Sequence, residues 1–261
     1  MAAIELDKLT WPEVRAQLEA GRDTVVMALG ATEQHGRHMP LATDALLGDH
    51  LARLLADRLD AFLAPTLRIG CSAHHVGFAG TMSLSEETFH RVVADVVGSL
   101  AGGGFRRIVL IPTHGGNFAP LAAAAAKLGD SAGARVVGLS DLGVLFQIAQ
   151  MAEREYGVPL REGGIHAGEW ETSLLLAIHP ELVRMDRAEA GFTGDLEEAM
   201  AGIFASGGVA ALSENGTIGD PARATAEHGQ RYWQAATQLV LDQIAASQAS
   251  GGDGEGAGAP P

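Results

Sequence analysis

A single cysteine, Cys71, stands among 261 residues. An intrachain disulfide is therefore impossible, and a zinc site built from several thiolates of one chain is excluded. Cations are scarce as well. Eighteen Lys and Arg against 32 Asp and Glu leave a formal net charge of −14, and no stretch clusters the basic residues. Nucleic-acid affinity rests mainly on neutralising phosphates, so no nucleic-acid partner is expected. No anionic membrane partner is expected for the same reason. No apolar run reaches bilayer-spanning length, and the opening residues MAAIELDKLTWPEV lack a basic region followed by an apolar one. The expected location is the cytoplasm. A dinucleotide fingerprint is missing too, because Gly102 to Gly104 do not space as G-x-G-x-x-G and precede an apolar run.

What is present points to a large core, since 47% of the residues are apolar. DTVVMALGA (23–31), AFLAPTLRIG (61–70), RRIVLIPT (106–113) and ARVVGLSDL (134–142) read as strands, the second with a bulge or edge at Pro65. Helical spacing runs from Thr43 through Leu46, Leu47, Leu51, Leu54 and Leu55. A further helix is expected behind a capping box at Ser83-Leu84-Ser85-Glu86, stopped by Gly102 to Gly104. Others are expected over APLAAAAAKLGD (119–130), 166–178 and 222–248, the last packing through Tyr232, Ala236, Leu239 and Val240. Strands alternating with helices imply a parallel sheet covered on both faces. One domain over 1–249 is expected, with a disordered tail over 250–261, which lacks large apolar residues.

Three polar clusters should then meet on one rim, where parallel strands all end. They are Glu33-Gln-His35 with Asp44, then His114-Gly-Gly-Asn117, then His166-Ala-Gly-Glu169-Trp-Glu171. Glu33 and His35, two apart on an extended segment, point to one side and can bind different ions. Asp44 can fold back between the two, His114 adds an imidazole, and Glu169 or Glu171 can complete the second ion. Carboxylates and imidazoles without thiolates suit two divalent ions, Zn²⁺, Mn²⁺ or Fe²⁺. Such a pair activates water against an amide-type C–N bond, with His166 as proton donor to the leaving nitrogen.

Each feature has a plain alternative. A Glu-x-His pair occurs in solvated loops, and Asn117 can be a mere helix cap. One of Glu169 and Glu171 can serve only the helix dipole. His50, His90, His179 and His228 read as structural or solvent-facing, His38 as a loop anchor and Trp170 as packing. His74 and His75 are open between packing and substrate contact. Cys71 has no neighbouring base that would make it a nucleophile.

The segments GATEQHGRHMPLATD, HHVGFAGTMSLSEETF, THGGN and HAGEWETS, in that order over residues 30–173, resemble the creatininase (creatinine amidohydrolase) family. The resemblance implies a three-layer α/β/α sandwich with a mostly parallel sheet, a dinuclear metal centre, amide hydrolysis and a homo-oligomer, often a hexamer. It implies Glu33, Asp44 and His114 around one ion, His35 and the shared Asp44 at the other, and His166 beside the substrate. Gly116 stands where creatininases have a metal-binding Glu, and Gly115 where they have a Tyr of the creatinine box, so creatinine is not the expected substrate. Glu169 is assigned as the replacement ligand, while Glu171 is the fallback and the expected catalytic companion of His166. His75, Gly115, Gly116 and Asn117 are expected to meet a small-molecule amide, lactam or formamide. The alternatives are a peptidase of the mycofactocin-precursor type and a non-catalytic metal or small-ligand binding protein.

Overall fold

A computed structural model describes residues 3–129, 133–205 and 207–249. The tail expected over 250–261 lies outside them. Strand β2 (Thr24–Leu29) is buried at every position from Val25 to Leu29. A strand buried on both faces belongs inside a sheet covered by helices. The sheet runs β1 (Ile4–Glu5), β3 (Phe62–Leu63), β2, β4 (Arg107–Pro112) and β5 (Arg135–Gly138), and every pairing is parallel. Val26, Ala28, Val109, Ile111 and Val137 face a layer formed by α2 (Thr43–Leu59), α5 (Gly143–Tyr156), α7 (Glu169–Ile178) and α10 (Ala226–Ala249). Val25, Met27, Leu29, Ile108 and Leu110 face α1 (Trp11–Glu19), α3 (Glu86–Gly103) and α4 (Phe118–Leu128). The architecture is the three-layer α/β/α sandwich that the family resemblance implies. Short helices α6 (Leu160–Gly163), α8 (Leu196–Ile203) and α9 (Gly208–Leu212) complete the described α-helices, the last two sharing a small core with Ile218.

Several boundaries differ from the sequence reading, each for a local reason. The strand expected over 61–70 pairs only at Phe62–Leu63, because Pro65 has no N–H to donate, and Leu67 regains just an isolated bridge to Leu29. Ser85, not Ser83, caps α3 by accepting from the Thr88 N–H, while Ser83 Oγ accepts from the Ser72 N–H. The helix expected from 166 begins at Glu169, since His166 is held in a bridge to Ile218. The last helix begins at Ala226, after a short 3-10 turn at Pro221–Arg223 capped by Asp220.

Candidate metal centre

β2 and β4 are paired over their whole length, Thr24 with Arg107 through Leu29 with Pro112, so their chains leave the sheet side by side. Asn117 pins that exit. Its Nδ2 donates to the Leu29 and Gly30 carbonyls at 2.9 and 3.0 Å, and its Oδ1 accepts from the Cys71 N–H at 2.9 Å. The side chain is fully buried and all its polar atoms are committed. The expected substrate contact at Asn117 is therefore corrected, because it ties three loops together and does not line the cavity in front of them.

The loop from Gly30 turns at Gly36, in the left-handed region at φ +63°, where a Cβ would meet Thr217 Oγ1 at 2.6 Å. It delivers Glu33 and His35 to the rim, and α2 begins with Asp44 facing them. Asp44 stands between two imidazoles, with Oδ1 3.2 Å from His35 Nε2 and Oδ2 3.2 Å from His114 Nδ1. Glu33 Oε1 lies 3.2 Å from His114 Nδ1, 3.3 Å from His75 Nε2 and 3.8 Å from His166 Nδ1. Glu171 Oε1 approaches His35 Nε2 at 3.7 Å. Among the described residues, three sets of possible ligand atoms lie within 4.8 Å of one another: Glu33, His35 and Asp44; His35, His166 and Glu171; Glu33, His75 and His166.

The outer nitrogens of three rings fix their tautomers, because a carbonyl can only accept. His35 donates from Nδ1 to the Glu33 carbonyl at 3.1 Å, His114 from Nε2 to the Cys71 carbonyl at 3.2 Å, and His166 from Nε2 to the Gln34 carbonyl at 2.7 Å. Each inner nitrogen is then left to face the carboxylates, as metal-bound histidines are usually held. His75 is oriented the other way. Its Nδ1 accepts from the Gln34 amide at 2.9 Å, which puts its N–H on Nε2, toward Glu33. Gln34 also donates to the Gly216 carbonyl and accepts from the Gly36 N–H, yet nothing in the sequence separates it from an ordinary loop glutamine.

The two glutamates of α7 part company. Two residues apart on a helix they point roughly 200° from each other, so only one can face the cluster. Glu169 Oε1 accepts from His228 Nδ1 at 2.7 Å and Ser173 Oγ at 2.9 Å, and Oε2 accepts from the Tyr232 hydroxyl at 3.0 Å. Its assignment as a metal ligand is corrected: it locks α7 to α10. Glu171 Oε2 accepts from the N–H of Ala167 at 2.6 Å, which leaves Oε1 toward His35. Ala167 is itself left-handed at φ +54°, an uncommon backbone for a residue with a side chain, tolerated here beside the site. Gly116 carries no ligand and has no room for one, since a Cβ would meet the Cys71 carbonyl at 2.2 Å and His114 Nε2 at 2.5 Å. Gly115 has open space around it, and Gly115, Gly116, His74 and His75 line the cavity.

The carboxylates and imidazoles of the cluster strongly shift one another. Burial opposes charge on His114, but Glu33 and Asp44 hold its imidazole up at about 10. Burial likewise opposes charge on His35, and Asp44 and Glu171 raise it well above the usual range. Asp44 is held below the ordinary carboxylate range by His35 and His114 against its burial, and Glu33 by His114. Burial and the neighbouring imidazoles push His75 down. Burial, then Glu86, pushes the Cys71 thiol up to about 11, away from the thiolate that a nucleophile needs. Both oxygens of Glu33 and Oδ2 of Asp44 are buried and lack a well-aligned hydrogen bond. Buried carboxylates with unaligned oxygens and inward imidazole nitrogens are the donor set that divalent cations take.

The model of the family described as creatinine amidohydrolase matches residues 7–244. A mycofactocin precursor peptide peptidase of Mycobacterium ulcerans is 35% identical over 239 residues, 88% of each chain. A creatinine amidohydrolase of Pseudomonas putida is 32% identical over 202 residues, 71% of this chain and 75% of that one. A crystal structure of creatinine amidohydrolase superposes with a TM-score of 0.79 at 27% identity, covering 94% of this chain and 98% of the other. Two further creatininase structures, one a mutant of Zn-Zn type and one described as Mn, have TM-scores of 0.75 and 0.74 at 28% identity and cover 94% and 93% of this chain and 98% and 97% of theirs. The chain belongs to the creatininase family.

Proposed function

We propose that the chain is a divalent-metal-dependent hydrolase of an amide C–N bond, with Glu33, Asp44 and His114 around one ion and His35, Asp44 and Glu171 around a second. The observation that carries this reading is Asp44, buried, with one oxygen turned to each of two imidazoles whose outer N–H groups are tied to backbone carbonyls. Bound ions would polarise the amide carbonyl and lower the pKa of a water. Zinc or manganese is the natural choice, given what the related structures hold. His166, lowered by burial and giving its Nε2–H to the Gln34 carbonyl, presents a neutral Nδ1 that can take a proton and pass it to the leaving nitrogen. His75 lies beside it, ring centroids 4.4 Å apart, with its Nε2–H toward Glu33.

Two substrate readings fit this chemistry, a small non-peptide amide and a short modified peptide. The second is favoured, because the site opens into a long apolar cavity and the relative of 35% identity is a peptide peptidase. The test is hydrolysis by metal-loaded protein of a panel of lactams, formamides and short apolar peptides, before and after chelation. Cleavage of the peptides that is lost on chelation and restored by Mn²⁺ or Zn²⁺ is expected. Cleavage of lactams or formamides alone returns the substrate to the small-amide class, and no cleavage at all favours a binding protein. Self-association into a homo-oligomer belongs to the same proposal on family grounds. A solution mass equal to the 27.0 kDa chain would remove it.

A further inference from the structure

Glu33, Asp44, His114, His166 and Glu171 occupy only one end of a cavity of about 290 Å³. From there it continues between α2, α5, α7 and α10 along apolar side chains in helical register. Leu47 and Leu51 follow Asp44 on α2, Leu174 follows Glu171 on α7, and Ala236 and Val240 follow on α10. Asp44 to Leu51 is two turns of helix, a depth of roughly 10 Å. Leu142, Phe146, Met200 and Phe204, all exposed, stand at its outer side. Exposed apolar side chains grouped at an opening mark a binding groove.

Among the described residues no Lys or Arg lines this space, and its carboxylates are Glu33, Asp44, Asp141 and Glu171. Asp141 is engaged by the Gly143 N–H and the Gln243 amide. An anionic occupant would find no cation beyond the metal-side end, and a buried unpaired charge is costly.

We propose that this cavity is a specificity pocket for an uncharged apolar arm, alkyl or phenylalkyl, carried by the substrate of the same site. The inference rests on the hydrolase reading for its polar end only. Straight-chain hydroxamates from acetohydroxamate to octanohydroxamate probe it, titrated into metal-loaded protein and followed by the fluorescence of Trp170 and Trp233, which both line the cavity. The dissociation constant is expected to fall about fourfold per added methylene, the factor for burying one CH₂. The monohydroxamate of suberic acid, with the same carbon count and a terminal carboxylate, is expected to bind at least about tenfold more weakly than octanohydroxamate.

Ala236→Leu is expected to flatten the series at its long end while Tm holds or rises, because the added atoms enter empty space. Ala149→Leu on α5 makes the same test should the first variant misfold. A chain-length-independent affinity, or equal binding of the carboxylate-ended compound, overturns the pocket. A rising series with no hydrolysis of any amide removes the hydrolase and keeps the pocket. Hydrolysis with a flat series does the reverse.

Discussion

Glu169 and Glu171 sit on the same turn of α7, both buried, and serve opposite ends. Glu169 has three protein donors, from Ser173, His228 and Tyr232, and asks for nothing more. Glu171 has one backbone donor and turns its other oxygen into the cluster around His35. A satisfied buried carboxylate is a fastener, whereas one held by a single N–H and aimed at an imidazole is available to a cation. The same contrast separates Asn117, wholly engaged in joining loops, from His114, which commits only its outer nitrogen.

The comparison breaks most visibly at the residue shared by both proposed ions. Asp44→Asn is expected to lower activity about a thousandfold or more, beyond the roughly 10- to 100-fold typical of groups behind the ligands, and metal analysis should find almost no bound ion. Chelation of the wild-type protein should abolish activity and lower Tm, since a ligand held by the folded state alone stabilises it by about 2.7 kcal/mol at a hundred times its Kd. On the fastening side, Asn117→Ala leaves the Cys71 N–H and the Gly30 carbonyl without partners, while the Leu29 carbonyl keeps the Thr113 N–H. It should cost about 3 kcal/mol, read as a lower urea midpoint at unchanged m-value. Glu169→Gln should cost roughly 1–3 kcal/mol in the same assay while activity changes by less than about tenfold.

An effect seen only as a pH dependence belongs to His38, which lies behind the site with Nε2 bonded to Thr172 Oγ1 at 2.9 Å. Burial first, and the charge of His35 second, push its imidazole from 6.5 down to about 4. Between those values the unfolded chain binds a proton that the folded chain does not. Stability from this group is thus complete above pH 6.5 and lost as the pH falls toward 4, at no more than about 1.4 kcal/mol per pH unit. Unfolding measured across this window should show a shallower slope for His38→Gln than for the wild type.

The sheet was legible because buried parallel strands write themselves as apolar runs, as at Val25 to Leu29 and Ile108 to Ile111. Their common direction brought Glu33, His35 and His114 to one rim without any knowledge of contacts. What stayed hidden depended on partners far along the chain. His228 and Tyr232, about sixty positions from Glu169, decide that Glu169 points away. Helical geometry alone could say only that one of the two glutamates faces the site. Gly116 reads as a lost ligand in sequence, but in space it is a crowded position that the Cys71 carbonyl closes to any side chain. Gln34 ties His75, Gly36 and Gly216 together through contacts that no local spacing encodes.

Glu171, and not Glu169, is proposed to complete the second ion. Metal stoichiometry of the wild type, Glu171→Gln and Glu169→Gln, each reconstituted with Zn²⁺ or Mn²⁺ and freed of excess, tests it most directly. The expected result is two ions per chain for the wild type and for Glu169→Gln, and about one for Glu171→Gln. Loss of an ion from Glu169→Gln with both retained by Glu171→Gln would contradict the account.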